Sequence, residues 1–358
     1  RGSVNNVRSG QILARIKAEI PGKPGIRIDN ETLSPRPVKK VSIPTAGCNV
    51  SVFKDKNIYT YTAMASGHAR MVFNEMQVNP DYIIPGDLDY TKGNIDFVGN
   101  VEVMGTVKSG FKIIAGGDVI VRGDVESDVI IQAKKDITVK NNINCGKNSG
   151  KIVAGGNVNA FRVVNSVIHA EGDVFIRDQI MESAIYCDGK FSSTWGKIVG
   201  SEIEAVSGIH VNTVGLDNSN AKNIIKAGKT YRFSDKLEKI NSELEIVKNE
   251  LALLAKGVST GTEQSYQDKN FENLSIKDQE RIKRLGMARS KHAKSLNERK
   301  ESLQKQKDEI LPNMRENPNA IIEIKGGIYP TCYIKIGKND IKILDEKKSA
   351  CIFRWNSE

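Results

Sequence analysis

The feature that most constrains this chain is a repeat of about 18 residues that runs from residue 95 to residue 211. Its anchor positions are Phe97, Ala115, Ala133, Ala154, Ala170, Cys187 and Ala205, with spacings of 18, 18, 21, 16, 17 and 18 residues. An isoleucine stands two positions before every anchor, and mostly apolar residues follow four and six positions after it. A period of this length is typical of a β-solenoid, in which each repeat is one turn of chain stacked on the previous turn.

Apolar and polar residues alternate within each turn, which predicts short strands with one face inside. Stacking then places like side chains in columns, and a weaker column is predicted at Val107, Val125, Ile143, Val164 and Ile180. We therefore expect a mainly β fold, a right-handed parallel β-helix of about seven turns over residues 86–230. Pairs such as Gly116-Gly117 before Asp118 predict sharp corners, where glycine tolerates positive φ.

The flanking segments differ in character. Residues 1–85 are predicted to be an amino-terminal β and turn region, the tail of a preceding domain, that caps the solenoid, with strands at residues 58–63 and 71–73. Residues 317–358 return to alternating strands after Pro312 and Pro318, and we expect them to rejoin the end of the β-helix. Open solenoid ends carry unpaired strand backbone, so they must be capped, paired or polymerised.

Residues 231–316 have a helical period and predict an inserted antiparallel coiled-coil hairpin. The first seam is Leu237, Ile240, Leu244, Val247, Leu251 and Leu254, and the second is Ile282, Leu296, Leu303 and Ile310. Ser234 or Asp235 is the expected cap of the first helix and Gly257 its end. Ser275 begins a capping-box pattern for a second helix that reaches about Met314.

One charged feature lies on the second predicted helix. Eight bases occur there against the single acid Glu298: Arg281, Lys283, Arg284, Arg289, Lys291, Lys294, Arg299 and Lys300. They form either a solvated face paired with acids of the first helix, namely Glu238, Glu243, Glu245 and Glu250, or a docking surface for an acidic protein, nucleic acid or anionic lipid. No aromatic residue is interleaved with these bases, so stacking on single-stranded nucleic acid is unsupported.

The residues suggest no chemistry. Four scattered histidines have no metal-ligand spacing, and five scattered cysteines fit reduced thiols. Acids that directly follow glycine, such as Asp118 and Asp173, fit turn chemistry better than the paired acids of a glycosidase. Cys187 fits a buried space-filler in the alanine column. We predict no catalytic residue, cofactor or metal, and hence a protein that is not an enzyme.

Composition sets further bounds. With 39% hydrophobic and 27% charged residues, the chain is typical of globular proteins, and its net charge of +10 permits an anionic partner. No apolar run approaches the ~20 residues that a bilayer requires, and no signal-peptide pattern is present, so we expect neither a membrane span nor a leader.

An ordered set of motifs carries a family resemblance. The motifs are Ile43-Pro44-Thr45-Ala46-Gly47-Cys48-Asn49-Val50, then residues 86–97, the repeated Ala-Gly-Gly-Asp/Asn-Val turns, the helical pair, and Gly327-Ile328-Tyr329-Pro330 followed by Ile334-Lys335-Ile336-Gly337. Over nearly its whole length the chain resembles the flagellar assembly protein A family. The pattern departs from the family where Lys134-Lys135-Asp136 replaces one Gly-Gly-Asp, and in having only the tail of the further amino-terminal domain that the family usually carries.

The resemblance implies a cytoplasmic bacterial β-helix protein linked to flagellar assembly or cell-pole regulation. We expect a scaffold that binds protein partners, self-associates through its helices or solenoid ends, and is recruited to the membrane or pole. Two alternatives stay open. The 18-residue period is similar to that of hexapeptide acyltransferases, although the strict six-residue recurrence is absent, and a bactofilin-like filament would also use stacked turns.

Overall fold

The computed structural model describes residues 5–146, 149–217, 219–259, 275–347 and 349–355. The chain divides into two compact units, one formed by Arg1–Gly228 with Asn317–Glu358 and the other by Lys229–Glu316. The first unit is built from strands, and the two α-helices among the described residues belong to the second. The protein is therefore mainly β, as the sequence predicted.

The amino-terminal region of the first unit consists of nine short strands. They are β1 Asn6–Val7, β2 Ile12–Lys17, β3 Gly25–Ile26, β4 Thr32–Leu33, β5 Thr45–Ala46, β6 Val50–Asp55, β7 Ile58–Ala63, β8 Gly67–Val72 and β9 Glu75–Asn79. A small core of Val7, Val50, Tyr61, Ala63, Met76 and Val78 holds them together. The strand predicted at residues 58–63 is confirmed, whereas the one predicted at 71–73 is part of β8, and Phe73 lies in a turn with a φ of 45°.

A β-solenoid occupies most of the first unit, with two long sheets of parallel strands. One sheet stacks β10 Asp81–Ile84, β12 Asn100–Val103, β14 Val119–Val121, β16 Ile137–Ile143, β18 Val158–Val164, β20 Val174–Ile176, β23 Lys190–Val199, β25 Gly208–Val214 and β27 Ile321–Ile328, and β21 Gln179–Met181 pairs beside β18 and β23. The other stacks β11 Ile95–Phe97, β13 Lys112–Ala115, β15 Ile130–Ala133, β17 Lys151–Ala154, β19 Val167–Ala170, β22 Ala184–Cys187, β24 Glu202–Ala205, β26 Asn223–Ala227 and β28 Cys332–Ile336.

The predicted apolar columns form the core of this solenoid. Ile113 pairs with Ile131, and Ile131 pairs with Ile152, in register along the second sheet. All three side chains are fully buried in one continuous cluster with their equivalents in the other turns. Each column thus buries apolar surface between consecutive turns, which favours stacking.

Two details of the sequence prediction are corrected. The solenoid has about eight turns rather than seven, because residues 317–358 contribute β27 and β28, which continue the sheets after β25 and β26. In the weaker column the buried residue is Val163 and not Val164, since Val163 pairs with both Ile143 and Ile180. The register shift between Val139 and Asn142 causes this offset by one residue.

The corner glycines are required for a different reason from the one predicted. The glycines with positive φ do not include Gly116, Gly117, Gly155 or Gly156. At Gly117 a Cβ atom would lie 2.0 Å from Oδ1 of Asn100, and at Gly156 one would lie 2.2 Å from Oδ1 of Asp136. These glycines leave room for a side chain of the preceding turn.

That side chain is one step of a hydrogen-bond series, here called the corner ladder: Asn100, Asp118, Asp136, Asn157 and Asp173. The Oδ1 atom of each residue accepts the backbone N–H of the equivalent residue one turn later, ending at Lys190, with distances of 2.7 to 3.0 Å. Asp136 keeps this role although Lys135 replaces the glycine before it. The ladder provides partners for corner amides that strand pairing does not reach.

The other corners use the same device. The backbone N–H of Asn142 donates to Oδ1 of Asp124. Buried serines form a third series, in which the backbone N–H of Ser166 donates to Oγ of Ser183, and that of Ser183 donates to Oγ of Ser201. Side-chain acceptors therefore link successive turns at every corner.

Both ends of the solenoid are covered by other strands. At the first turn the Asn6 side chain donates to the carbonyl oxygen of Asp96 at 2.8 Å and accepts from the N–H of Val98 at 3.3 Å. At the last turn β29 Asn339–Ile343 pairs antiparallel with β28, and β30 Cys351–Arg354 pairs antiparallel with β27. The parallel stacking stops there.

The second unit contains α1 Tyr231–Ser259 and α2 Ile276–Ile310, followed by a short 3₁₀ turn at Leu311–Asn313. The helices share a buried cluster of Ile240, Leu244, Val247, Leu296, Leu303 and Ile310, all of which were predicted seam positions. The side chain of Ile282 lies outside the described residues.

The predicted helix ends need adjustment. Helix α1 begins three residues before Ser234, so neither Ser234 nor Asp235 caps it, and it continues past Gly257. Helix α2 does begin directly after Ser275, but it ends at Ile310 because Pro312 cannot continue an α-helix.

The corner ladder predicts a specific mutational pattern. Asp136→Ala removes the acceptor for the Asn157 N–H, and we expect the free energy of unfolding to fall by about 1.5–3 kcal/mol. Asp136→Asn keeps an Oδ1 acceptor, as Asn100 and Asn157 do, and should lose less than half as much. Urea unfolding followed by circular dichroism measures both.

Asp96→Ala is the matched control, because the Asp96 side chain is exposed on an outward strand position. It should leave the unfolding free energy nearly unchanged. Equal losses for Asp136→Ala and Asp136→Asn would contradict the assigned role of Oδ1.

Candidate partner-binding surface

The basic residues singled out in the sequence lie along α2. The side chains of Arg281, Arg284, Arg289, Lys291, Lys294, Arg299 and Lys300 are exposed, and that of Lys283 lies outside the described residues. These eight residues are called the basic face below. Its exposed members project into solvent from a helix whose apolar residues Leu296 and Leu303 face α1.

Part of the basic face is paired with acids, as one of the two interpretations predicted. Arg299 lies 3.1 Å from Glu243 of α1, and Arg284 lies 3.6 Å from Glu280 on its own helix. The Arg299 and Glu243 side chains are 62% and 47% exposed, so each pair contributes little to stability. Pairing of this kind leaves the charges accessible to a partner.

The corner acids are occupied by structural hydrogen bonds. Asp118, Asp136 and Asp173 each accept a backbone N–H of the next turn, and Asp124 accepts both the N–H and the side-chain amide of Asn142. This is the turn chemistry that the sequence predicted. Such acceptors fix the backbone and are not arranged as an acid and a nucleophile.

Most cysteines are sealed in the solenoid. Cys145, Cys187 and Cys332 are buried, Cys351 is partly buried and Cys48 is exposed. Burial raises the pKa of the Cys145 thiol to about 12 and that of the Cys332 thiol to about 11. A thiol with so high a pKa is almost never a thiolate near neutral pH, so neither residue is a candidate nucleophile.

The histidines lie in separate surroundings. His169 stacks on Tyr186 of the next turn, with ring centroids 5.1 Å apart, while Cys187 is buried on the opposite face of the same strand. His210 contacts Glu323 at 2.9 Å, and this hydrogen bond holds the pKa of the Glu323 carboxyl below its usual value. Within the described ranges, no three His, Cys, Asp or Glu side chains form a cluster that could hold a metal ion.

A cleft of about 460 Å³ lies beside the last turns. Its lining includes Asn223, Ile224, Cys332, Tyr333 and Leu344. The buried Cys332 thiol is protonated, and Asn223 acts as its hydrogen-bond partner. The cleft therefore offers an apolar surface but no activated group.

Sequence reasoning identified the basic face but missed the corner ladder. The signal was present, because an Asp or Asn follows the corner at the same position of successive turns. The acids were assigned to their own turns, whereas their acceptor atoms serve the following turn.

Two family models match the chain. One is described as the flagellar assembly protein A beta solenoid domain and matches residues 80–358, and the other is the flagellar assembly protein A N-terminal region and matches residues 1–74. No curated protein and no solved structure is significantly similar to the chain. Neither helix in the described part of the chain has the length and hydrophobicity to cross a membrane.

Thiol labelling tests the assigned burial. In the folded protein at pH 8, a maleimide should modify Cys48 rapidly and leave Cys145 and Cys332 unmodified, because their raised pKa values suppress the thiolate. Mass spectrometry of the digested protein measures each site. After unfolding in urea all three should react at similar rates, which provides the control. Labelling of Cys145 at the rate of Cys48 in the folded state would contradict the sealed core.

Proposed function

The chain belongs to the flagellar assembly protein A family, and from this premise we propose that it is a non-enzymatic scaffold that binds other proteins during bacterial flagellar assembly. The observation that carries the proposal is the match of the two family models over residues 1–74 and 80–358. Membership implies a role in flagellar assembly. The mode of action is argued below from the described residues.

A scaffold role is supported by how the solenoid uses its polar groups. Its interior is filled by apolar columns, its corner carboxylates accept structural hydrogen bonds, and its buried thiols have raised pKa values. A stack of this kind presents fixed exposed faces, since each turn is held to the next by strand pairing and by the corner ladder. Fixed faces suit partner binding.

The finer architecture is part of the proposal. The solenoid is taken to be a right-handed β-helix over residues 86–230, completed by 317–358 and capped by 1–85. Helices α1 and α2 are taken to form an antiparallel coiled-coil hairpin over 231–316, supported by their shared cluster and by the ion pair of Arg299 with Glu243.

The basic face is the proposed docking surface, and its partner is an acidic protein. Exposed bases with only weak pairing attract an anionic partner and accelerate its association. We place the protein in the cytoplasm, with recruitment to the membrane or cell pole through such a partner. The acyltransferase and filament alternatives gain no support from the family match.

Genetic complementation tests the function. Deletion of the gene in the native bacterium should reduce the number of flagella seen by electron microscopy, and the unaltered chain should restore it. The triple change Arg281→Glu, Lys291→Glu and Lys294→Glu should fail to restore flagella, because it reverses the charge of the basic face.

The matched control is Lys236→Glu, Lys239→Glu and Lys248→Glu on α1, where all three lysines are exposed. It changes the net charge equally and should restore flagella. A deletion strain with normal flagella would refute the flagellar role, whereas restoration by both triple variants would refute docking through the basic face.

A second prediction concerns the proposed hairpin. Leu244→Asp places a charge in the cluster between α1 and α2 and should reduce the helical signal in circular dichroism, while the β signal and its main thermal transition persist. Leu253→Asp is the control, because Leu253 lies on the same helix and is 69% exposed. Loss of the β structure in Leu244→Asp would contradict an independently folded insertion.

A further inference from the structure

The last strand of one solenoid sheet has a free edge. Strand β29 pairs with β28 through a two-residue turn at Gly337 and Lys338, and the sheet as described ends there. Asn339, Asp340, Ile341 and Lys342 are all exposed. A free strand edge is a template for another strand, and natural proteins commonly protect it with charge.

The turn determines which backbone groups of β29 point outward. Ile336 and Asn339 flank the two-residue turn and form a hydrogen-bonded pair, so the alternation of an antiparallel ladder makes Ile334 and Ile341 a hydrogen-bonded pair as well. The intervening residues Asp340 and Lys342 therefore direct their backbone N–H and C=O groups to the free edge. Another strand would bond to these two residues.

The charges of β29 select one partner and one register. When two copies of β29 pair antiparallel with outward groups opposed, Asp340 can face Asp340, Lys342 can face Lys342, or Asp340 can face Lys342. The first two registers oppose like charges, which is destabilising. The third forms two opposite-charge pairs, each Asp340 facing Lys342 of the other copy. The edge is thus self-complementary in one register.

Apolar contact favours the same register. Ile341 shares the inward face of the hairpin with the buried Ile334, yet it is 41% exposed because nothing covers it beyond the last strand. In the third register Ile341 faces Ile341 of the other copy as a non-hydrogen-bonded pair, in which side chains approach most closely. Pairing would bury this residue in both copies.

We propose that two copies of the chain join their β29 edges antiparallel about a twofold axis at Ile341. The contact is isologous, so it closes at a dimer and does not propagate into a filament. Both sheets would continue from one solenoid into the other at this end. The inference is independent of the proposed flagellar role, and its test involves no partner protein.

Sedimentation velocity of the full chain over a range of concentrations tests the proposal. The unaltered chain should show a concentration-dependent dimer. Asp340→Lys alone and Lys342→Asp alone should each weaken it about tenfold or more, because each replaces two attractive pairs with two repulsive ones. Both positions are exposed, and unchanged circular dichroism checks that the variants are folded.

Two restorations make the test specific. A mixture of the Asp340→Lys and Lys342→Asp variants should form a heterodimer, since every facing pair is then opposite in charge. The double variant D340K/K342D should dimerise by itself for the same reason. A chain that is monomeric at all concentrations would overturn the proposal. A dimer that both single variants retain at full strength would also overturn it, by placing the contact elsewhere.

Discussion

The stacking of solenoid turns depends on the hydrogen bonds that the corner ladder makes from one turn to the next. Apolar columns favour burial but are nearly indifferent to small displacements along a strand, because the hydrophobic effect is non-directional. A side-chain acceptor such as Oδ1 of Asp136, 2.7 Å from the N–H of Asn157, has a definite position. It fixes where each corner lies over the one before, and it requires a residue as small as Gly156 beside it.

This constraint has a functional consequence. The groups that elsewhere perform chemistry, carboxylates and thiols, are used here to hold backbone or to fill space, as Asp118 and Cys187 show. What the molecule offers to other molecules is a set of fixed surfaces: a series of outward strand faces, a free edge at β29 and a basic helix face on α2. A scaffold in flagellar assembly requires surfaces of this kind.

Much of the fold could be predicted from the sequence because a solenoid repeats its environment. Ile113, Ile131 and Ile152 occupy equivalent positions, so the same residue type recurs and exposes the period. The final turn escaped prediction because residues 229–316 separate its strands from the preceding turn in the sequence. Val163 was assigned one position late because a local register shift leaves no mark in composition. The role of Gly117 depends on Asn100, 17 residues away, so local turn chemistry gave the wrong reason. At the candidate site, the basic face was visible as a run of bases, but the pairing of Arg299 with Glu243 depends on the packing of two helices.

Amide hydrogen exchange at single-residue resolution tests the corner ladder most directly. The amides of Asp118, Asp136, Asn157 and Asp173 lie at corners, where exchange is ordinarily fast, yet each has a side-chain acceptor from the preceding turn. The account predicts that they exchange as slowly as strand amides such as that of Ile131. Exchange at the rate of unprotected turn amides, with the strands still protected, would contradict it.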